Sequence, residues 1–301
     1  MDGLLIIDKP AGITSHDVVN RVRRILKTKR VGHTGTLDPF ATGVMVILVG
    51  QATRLAQYLD KDEKEYEAVV QFGSETDTGD RTGTRSAECG LQIAELESAV
   101  SSIDCEDVLS QFRGKSMQVP PMYSAKKVEG KKLYELAREG KQIERQAVPV
   151  TIHELELLDR DEFRIPHSAL RIRVVCSAGT YIRTLAEDIG RAVGLGAHLE
   201  ELRRTRAGRF DLSEALTLDQ LEEMPKPAEA LIPMAKAAAH LPAVVLNEER
   251  AAKTQNGLSS GTAADLKDGE AVRMLDEAEN LIAIGQYRAD EKIVQPKVVF
   301  G

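Results

Sequence analysis

Apolar residues recur along the chain in patterns that predict short strands and helices. The run Leu4–Ile7 ends at a Lys-Pro-Ala-Gly turn and predicts a strand. Helical spacing of apolar residues over Val18–Leu26, with Thr14 or Ser15 in position to cap, predicts a helix whose basic residues face outward. Val44–Val49 predicts a buried strand, and the alternation over Tyr66–Phe72 predicts a half-buried strand. The beginning of the chain therefore mixes strands with helices.

The middle of the chain continues this mixture, with long polar stretches between elements. Glycine-rich and threonine-rich segments predict loops at 32–43 and 73–90, and residues 116–132 predict irregular structure. The other elements predicted are helices at 94–100, 106–112, 133–138 and 182–193, and strands near 148–158 and 170–176.

A shift in composition marks a boundary near the C-terminus. Four prolines and a run of alanines fall between residues 222 and 242, and short apolar segments with glycine turns follow. We therefore expect two domains, residues 1–240 and a small β-rich domain at 241–301.

Composition excludes several classes of protein. The chain has 301 residues, of which 42% are hydrophobic and 29% charged, as in ordinary globular proteins. The longest apolar run has six residues, far fewer than the ~20 that span a bilayer. Three cysteines without a CxxC pair and six histidines without metal-ligand spacing argue against a disulfide framework and a metal site. We expect no membrane anchor, no metal and a cytoplasmic location.

Net charge and its distribution point in opposite directions. A net charge of −7 disfavours binding to nucleic acid, which depends on clustered Lys and Arg. Yet residues 21–30 contain six basic residues and no acid, and further basic clusters lie at 203–209 and 126–132. Each cluster is either a solvated face or part of a local polyanion site.

The densest candidate for chemistry is the segment Gly32–Val44, GHTGTLDPFATGV. Three glycines and three threonines around one His and one Asp are poor core material, so the segment is a surface loop or a shaped site. Asp38 has no partner carboxylate within it, so a glycosidase pair is not evident.

Several segments in order resemble the TruB family of pseudouridine synthases. The match spans residues 3 to about 210, and the tail past about 240 is similar only loosely. The segments that carry it are Gly3–Gly12 (GLLIIDKPAG), Gly32–Arg54, Val119–Ala125 (VPPMYSA), Cys176–Arg183 (CSAGTYIR) and Ala197–Arg206.

The resemblance implies an α+β pseudouridine synthase fold, with a mixed, largely antiparallel sheet flanked by helices and a small PUA-like RNA-binding domain. It also implies isomerisation of uridine 55 to pseudouridine in the tRNA T-loop, by base flipping and with no cofactor. The absence of a GxGxxG segment, a Walker loop or a metal cluster fits such a reaction. We expect tRNA, through its T-arm, as the partner, and a monomer.

The resemblance also assigns roles to residues. Asp38 matches the family's nucleophile, and Arg183 matches the arginine that pairs with it. Lys9 matches a residue that supports the catalytic loop. Four further positions match residues that contact the flipped nucleotide, and these are His33, Tyr66, Tyr181 and Leu202.

The basic clusters then become candidate phosphate contacts. A segment at about 124–147 resembles the insertion that closes over the RNA, whereas residues 21–30 stay open between phosphate contact and a solvated face. The candidate contacts are Arg203, Arg204, Arg206, Lys126 and Lys127.

Two other functions compete with the isomerase. A uridine methyltransferase would need a reactive thiol, for which Cys176 is the candidate, although alternation places it inside a strand and no donor-binding glycine loop is evident. An RNA chaperone on the same scaffold would bind without catalysis. Asp38→Asn separates these hypotheses, because it should abolish isomerisation and spare binding.

Overall fold

The body of the protein is a large sheet to which nine of the described strands contribute. The structure is a computed structural model that describes residues 1–59, 63–124, 126–128, 131–133, 136, 143–158 and 168–301, with the backbone alone at 127, 128, 131 and 132. In chain order the strands are β1 (Gly3–Lys9), β2 (Val31–Thr34), β3 (Thr42–Val49), β4 (Lys64–Phe72), β5 (Ser74–Thr76), β6 (Arg85–Glu88), β7 (Gly114–Gln118), β8 (Lys127–Val128), β9 (Lys131–Lys132), β10 (Val148–Leu157), β11 (Ala169–Cys176), β12 (Ala197–Ala207), β13 (Phe210–Asp211), β14 (Ala243–Val245), β15 (Ser260–Gly261), β16 (Ala271–Leu275), β17 (Leu281–Arg288) and β18 (Ile293–Val299).

Short helices accompany these strands. Thr14 caps the first helix, and a reciprocal hydrogen bond with Asp17 completes a capping box. The α-helices are α1 (Ser15–Ile25), α2 (Ala56–Leu59), α3 (Ile93–Ser101), α4 (Cys105–Ser110), α5 (Ile182–Ala192), α6 (Leu218–Glu223), α7 (Met234–Ala237) and α8 (Glu248–Gln255), and 3-10 turns lie at Gly50–Leu55, Leu212–Glu214 and Pro227–Ala230. No helix within the described ranges has the length and apolar character needed to cross a bilayer.

The large sheet is mixed but mostly antiparallel, with the order β1-β3-β12-β4-β11-β10-β7. β3 has a shared edge: its first residues pair in parallel with β12, and its last residues pair antiparallel with β2. β2 and β12 therefore separate from a common strand, and a cleft opens between them.

The two faces of the sheet are covered differently. One face buries alternate residues such as Tyr66, Val70 and Leu199 against α1, α5 and other helices. The other face, at β1 and β3, packs against the C-terminal sheet, which has the order β14-β16-β17-β18-β15. The α+β class and the β-rich C-terminal region are confirmed.

Three segments differ from the sequence predictions, because they contain short, polar strands. The predicted loops at 32–43 and 73–90 contain β2 and the β5–β6 hairpin, and the irregular segment at 116–132 contains much of β7. These strands pair through their backbones and bury few side chains, so their sequences show little alternation. The basic segment at 197–207 is the central strand β12. The predicted helix at 133–138 lies mostly outside the described residues.

Candidate active site

Asp38 lies on the loop between β2 and β3, and buried side chains hold that loop on both sides. Leu37 and Phe40 are both buried in the main core. The Ser15 hydroxyl accepts a hydrogen bond from the Leu37 amide and donates to its carbonyl, both at 2.9 Å. Asp38 is therefore displayed between two apolar anchors, with its side chain 31% exposed.

Lys9, the last residue of β1, also holds this loop in place. Its ammonium group is fully buried and donates to the carbonyls of Pro10 at 2.8 Å, Pro39 at 3.1 Å and Ala41 at 2.7 Å. Burial lowers the pKa of Lys9 to about 8, although the nearby Asp38 opposes the change. Lys9 thus binds the backbone on the C-terminal side of Asp38 and is a positioning residue by its contacts.

Arg183, at the start of α5, forms a two-point contact with Asp38. Its Nε lies 2.9 Å from one carboxylate oxygen, and its Nη2 donates to the other at 3.2 Å. The remaining donors bind the carbonyls of Thr78 at 2.9 Å and Tyr123 at 2.7 Å. Because four contacts fix this guanidinium, it holds the Asp38 carboxylate in one orientation.

A second carboxylate, Asp80, flanks Arg183, and sequence reasoning assigned it no role. It is buried, and one of its oxygens lies 3.8 Å from Nη1 of Arg183. The other oxygen accepts hydrogen bonds from the Thr78 hydroxyl and the Thr82 amide. The signal was the segment TDTGD at 76–80, whose threonines and aspartates are typical of a tight hydrogen-bonded turn.

Opposing effects act on the ionisation of Asp38. Burial raises the pKa of its carboxyl, Arg183 opposes that rise, and Asp80 adds to it. The carboxyl therefore ionises at a higher pH than an ordinary aspartate. A partly desolvated carboxylate of this kind has lost some of the hydration that weakens a nucleophile.

A cavity of about 580 Å³ opens beside Asp38 in the cleft between β2 and β12. It brings together five residues predicted to contact the substrate or the nucleophile, and also residues that were not predicted, among them Lys64 and Ser124. The predicted residues that line it are His33, Tyr66, Tyr181, Arg183 and Leu202.

The aromatic side chains have defined supports. Tyr66 is buried in β4, and burial raises the pKa of its phenol, so the ring stays neutral beside the cavity. Tyr181 is the N-cap of α5, and the Gln118 side chain binds its backbone on both sides, accepting from the amide at 2.8 Å and donating to the carbonyl at 3.0 Å. Gln118 thereby fixes Tyr181 to β7, a function that sequence reasoning missed.

The prediction that Arg204 contacts phosphate is wrong. Its side chain is 1% exposed, and it donates to the carbonyls of Val44 at 2.7 Å and Gly35 at 3.0 Å. β3 approaches closely here, because a Cβ on Gly43 would lie 2.2 Å from the Arg204 carbonyl oxygen. Arg204 therefore joins the catalytic loop to β12 and forms part of the cavity wall.

The other predicted phosphate contacts have varied surroundings. Arg203 forms an ion pair with Asp8 at 2.7 Å, and Arg206 forms one with Glu65 at 3.3 Å. Lys126 is half-buried, and the side chain of Lys127 and part of the segment 124–147 lie outside the described residues. Phosphate contact stays a prediction for these residues.

Cys176, the thiol considered for a methyltransferase, is buried at the end of β11. Burial raises the pKa of this thiol to about 11, although Thr180 opposes the change. Since the thiolate is the reactive form, a thiol of this kind is a poor nucleophile at neutral pH. The geometry does not favour the methyltransferase hypothesis.

Comparison with known proteins gives one consistent family. Residues 23–182 match the family described as "TruB family pseudouridylate synthase (N terminal domain)", and residues 183–250 match "tRNA pseudouridylate synthase B C-terminal domain". The chain is 43% identical to tRNA pseudouridine synthase B of Solibacter usitatus, over 95% of this chain and 96% of that protein. It is 41% identical to the protein of the same name from Geobacillus thermodenitrificans, over the full length of both.

Solved structures agree with this similarity. A chain of a Cbf5-Nop10-Gar1 complex matches with a TM-score of 0.73 at 28% identity, covering 99% of this chain and 85% of that one. An H/ACA RNP bound to a substrate RNA containing 2'-deoxyuridine matches with a TM-score of 0.72 at 26% identity, with the same coverage. The fold around the cavity is thus shared with a chain of a Cbf5-Nop10-Gar1 complex and with a chain of an H/ACA RNP solved with substrate RNA.

Proposed function

The chain belongs to the TruB family of pseudouridylate synthases and is an isomerase, and we propose that it converts uridine 55 of tRNA to pseudouridine in the T-loop. The names of the relatives support tRNA as the substrate. The observation that carries the proposal is the Asp38 carboxylate, held at two points by Arg183 at the edge of a cavity.

The reaction needs no second substrate. The bond between uracil N1 and the ribose breaks, the base turns, and its carbon 5 joins the same sugar carbon. The hydrogen on carbon 5 leaves as a proton, and N1 gains one, so the reaction is redox-neutral and uses no cofactor. Asp38 attacks the anomeric carbon, adds to carbon 6 of uracil, or removes a sugar proton to form a glycal.

The cavity walls suit a flipped base. Extrusion of a nucleotide from its stack costs a few kcal/mol, which stacking in the enzyme must offset. We assign stacking on the base to Tyr66 and an apolar wall to Leu202, both of which line the cavity. To Tyr181 we assign acceptance of the proton from carbon 5, and to His33 we assign filling the vacancy left in the RNA; both residues line the cavity.

The remaining parts of the proposal concern the whole molecule. Residues 1–240 form the catalytic domain, and residues 241–301 form a PUA-like domain that binds RNA. We propose that the enzyme acts as a monomer, since residues of one chain line the cavity, and that it acts in the cytoplasm. The RNA chaperone hypothesis is kept as an outcome of the experiment below.

The test is release of tritium from carbon 5 of uridine in a T-arm hairpin, without added cofactor. Methylation at carbon 5 also expels this hydrogen but needs a methyl donor, so the cofactor-free condition distinguishes the two reactions. We expect release from the wild-type protein and none when cytidine replaces the target uridine. No release, together with tight binding of the hairpin, would favour the chaperone function.

Asp38→Asn tests the nucleophile. We expect this variant to release no tritium and to bind the hairpin within about threefold of the wild-type Kd, since the substitution is nearly isosteric. Asp188→Asn, which changes a partly exposed carboxylate on α5, is the matched control and should keep full activity. Turnover by the Asp38→Asn variant would refute the assignment.

A further inference from the structure

We propose that the surface where α1 leads into β2 binds phosphates of the RNA arm whose loop enters the catalytic cavity, an inference that rests on the proposed function. We call this surface the α1–β2 patch and define it by Arg24, Lys27, Lys29 and Arg30, all of which are exposed. It is distinct from the cavity, which is lined by other residues.

The structure separates the six basic residues of the segment 21–30 into two groups. Arg21 forms ion pairs with Asp219 and Glu222, which neutralise it. Arg23 is turned inward, donating to Asn20 at 3.1 Å and to the Val31 carbonyl at 3.0 Å. The other four residues form the patch.

Within the described ranges, no carboxylate lies within ion-pair distance of the four patch residues. With the part of the chain that the structure describes, their side chains make one polar contact, from Arg30 Nε to the Thr53 hydroxyl at 3.0 Å. Elsewhere in this acidic chain arginines are mostly paired: Arg173 has partners in Glu65, Glu154 and Glu156. A cluster of unpaired cations repels itself, and a polyanion relieves that repulsion.

Stabilisation of the C-terminal end of α1 explains only part of the patch. Lys27 follows the C-cap of α1 and has a φ of +51°, the left-handed region in which glycine is favoured at this position. A basic residue in the last turn can stabilise a helix through its dipole, which accounts for Arg23 and Arg24. It does not account for Lys29 and Arg30, which lie beyond the last turn.

The position of the patch relative to the cavity decides the partner. β2 forms one wall of the cleft, and His33 in that strand lines the cavity. Arg30 precedes β2 directly and lies three residues before His33, which in a strand is about 10 Å. RNA that places a loop nucleotide in the cavity therefore brings phosphates of the adjoining stem near the patch.

The main test is the triple variant Arg24→Gln/Lys27→Gln/Lys29→Gln, with binding of a T-arm hairpin with a five-base-pair stem measured against salt concentration. Each phosphate contact contributes about 0.7–0.9 to the slope of log Kd against log salt, so we expect the slope to fall by about 2–3. We expect Kd near 0.1 M salt to rise at least tenfold and kcat at saturating RNA to stay unchanged.

Two controls separate a local effect from net charge and folding. Arg85→Gln/Lys226→Gln/Lys236→Gln removes the same charge from exposed positions elsewhere and should leave the slope unchanged. A charge-preserving exchange of Arg and Lys at the three patch positions should keep wild-type affinity. If the neutralised triple variant fails to fold, Lys29→Glu at an exposed position gives the same measurement.

The outcomes distinguish this inference from the proposed function. An unchanged Kd and slope in a patch variant of an enzyme that forms pseudouridine would overturn the inference and leave the function intact. Patch-dependent binding by a wild-type protein that forms no pseudouridine would overturn the function and support the patch. Loss of affinity that is equal in the patch and control triples would also overturn the inference, because it reports net charge alone.

Discussion

Arg183→Lys is the substitution that tests the geometry of the site most directly. It keeps the positive charge and removes the planar fork that joins both Asp38 oxygens to the carbonyls of Thr78 and Tyr123. A lysine ammonium carries its donors on one atom, so it cannot reach all four acceptors. We expect the net charge around Asp38 to stay the same, and the Asp38 carboxylate to lose its fixed orientation.

The structure sets the magnitude of this effect. A hydrogen bond to a charged group contributes about 1.5–3 kcal/mol, and the two-point contact at 2.9 and 3.2 Å becomes a single contact at best. Loss of one such contact in the transition state lowers kcat by about 10-fold to 150-fold. Arg183 also opposes the rise in the pKa of Asp38. A weaker partner moves this pKa further upward, so the acid side of the pH–rate profile moves to higher pH.

Single-turnover formation of pseudouridine on a T-arm hairpin, followed from pH 5 to 9, measures both effects. Arg191→Lys is the matched control, since Arg191 lies on the same helix and forms ion pairs with Glu75 and Asp188 at the surface. We expect the control to stay within twofold of wild type. A rate for Arg183→Lys within threefold of wild type, with an unmoved acid limb, would refute the argument.

Two further predictions concern the catalytic loop. Lys9 has a pKa of about 8 and three carbonyl partners, and its neutral amine has one donor fewer than the ammonium group, so we expect kcat to fall as the pH rises through about 8. The variant Lys9→Met should have a low kcat at all pH values, without this alkaline decrease. An alkaline decrease that persists in Lys9→Met would contradict the assignment of that decrease to Lys9. Gly43→Ala should lower the free energy of unfolding by about 3 kcal/mol or more in denaturant titrations, since φ is +105° and the new Cβ would overlap the Arg204 backbone. Gly12→Ala is the control: its φ is also positive but no atom lies near the new Cβ, so we expect the free energy of unfolding to fall by only about 1 kcal/mol.

The elements that could be predicted from the sequence are those that bury a complete face. α1 places apolar residues at the helical period because one side of it packs into the core. β1 and β3 are nearly continuous apolar runs, because both of their faces are buried. β7 lies at the edge of the sheet with four of its five residues exposed, so it carries no comparable pattern. The apolar pattern of an element therefore predicts its structure better the more of the element is buried.

β12 shows how one missed strand produced an error in the site. Its run of arginines suggested a solvated face or a site for phosphate, and it concealed a central strand. In a strand, alternate side chains share a face, so Arg204 lies on the same side as Leu202 and points toward the cavity, whereas Arg203 lies on the opposite side. The strand assignment alone would have separated the two adjacent arginines.

The contact between Asp38 and Arg183 could not be derived from spacing, because 145 residues separate them. Family resemblance supplied the pair, whereas the structure supplied the reason for its geometry. Thr78, Tyr123 and Asp80 approach Arg183 from other parts of the chain. Such contacts depend on tertiary packing, and no local pattern in the sequence reports them.

Two ion pairs on the large sheet, Arg203–Asp8 and Arg206–Glu65, affect where RNA phosphates can bind. A phosphate at Arg203 would have to displace Asp8, and one at Arg206 would compete with Glu65. Each exchange replaces one charge-assisted contact with another, so its net gain is small. Among the described residues no acid pairs with the α1–β2 patch, so each phosphate bound there adds its full counterion-release contribution. A chain with a net negative charge can thus attract RNA to the wall of the cleft that carries the α1–β2 patch. The sheet face on which the arginines are paired with carboxylates would bind RNA phosphates only weakly.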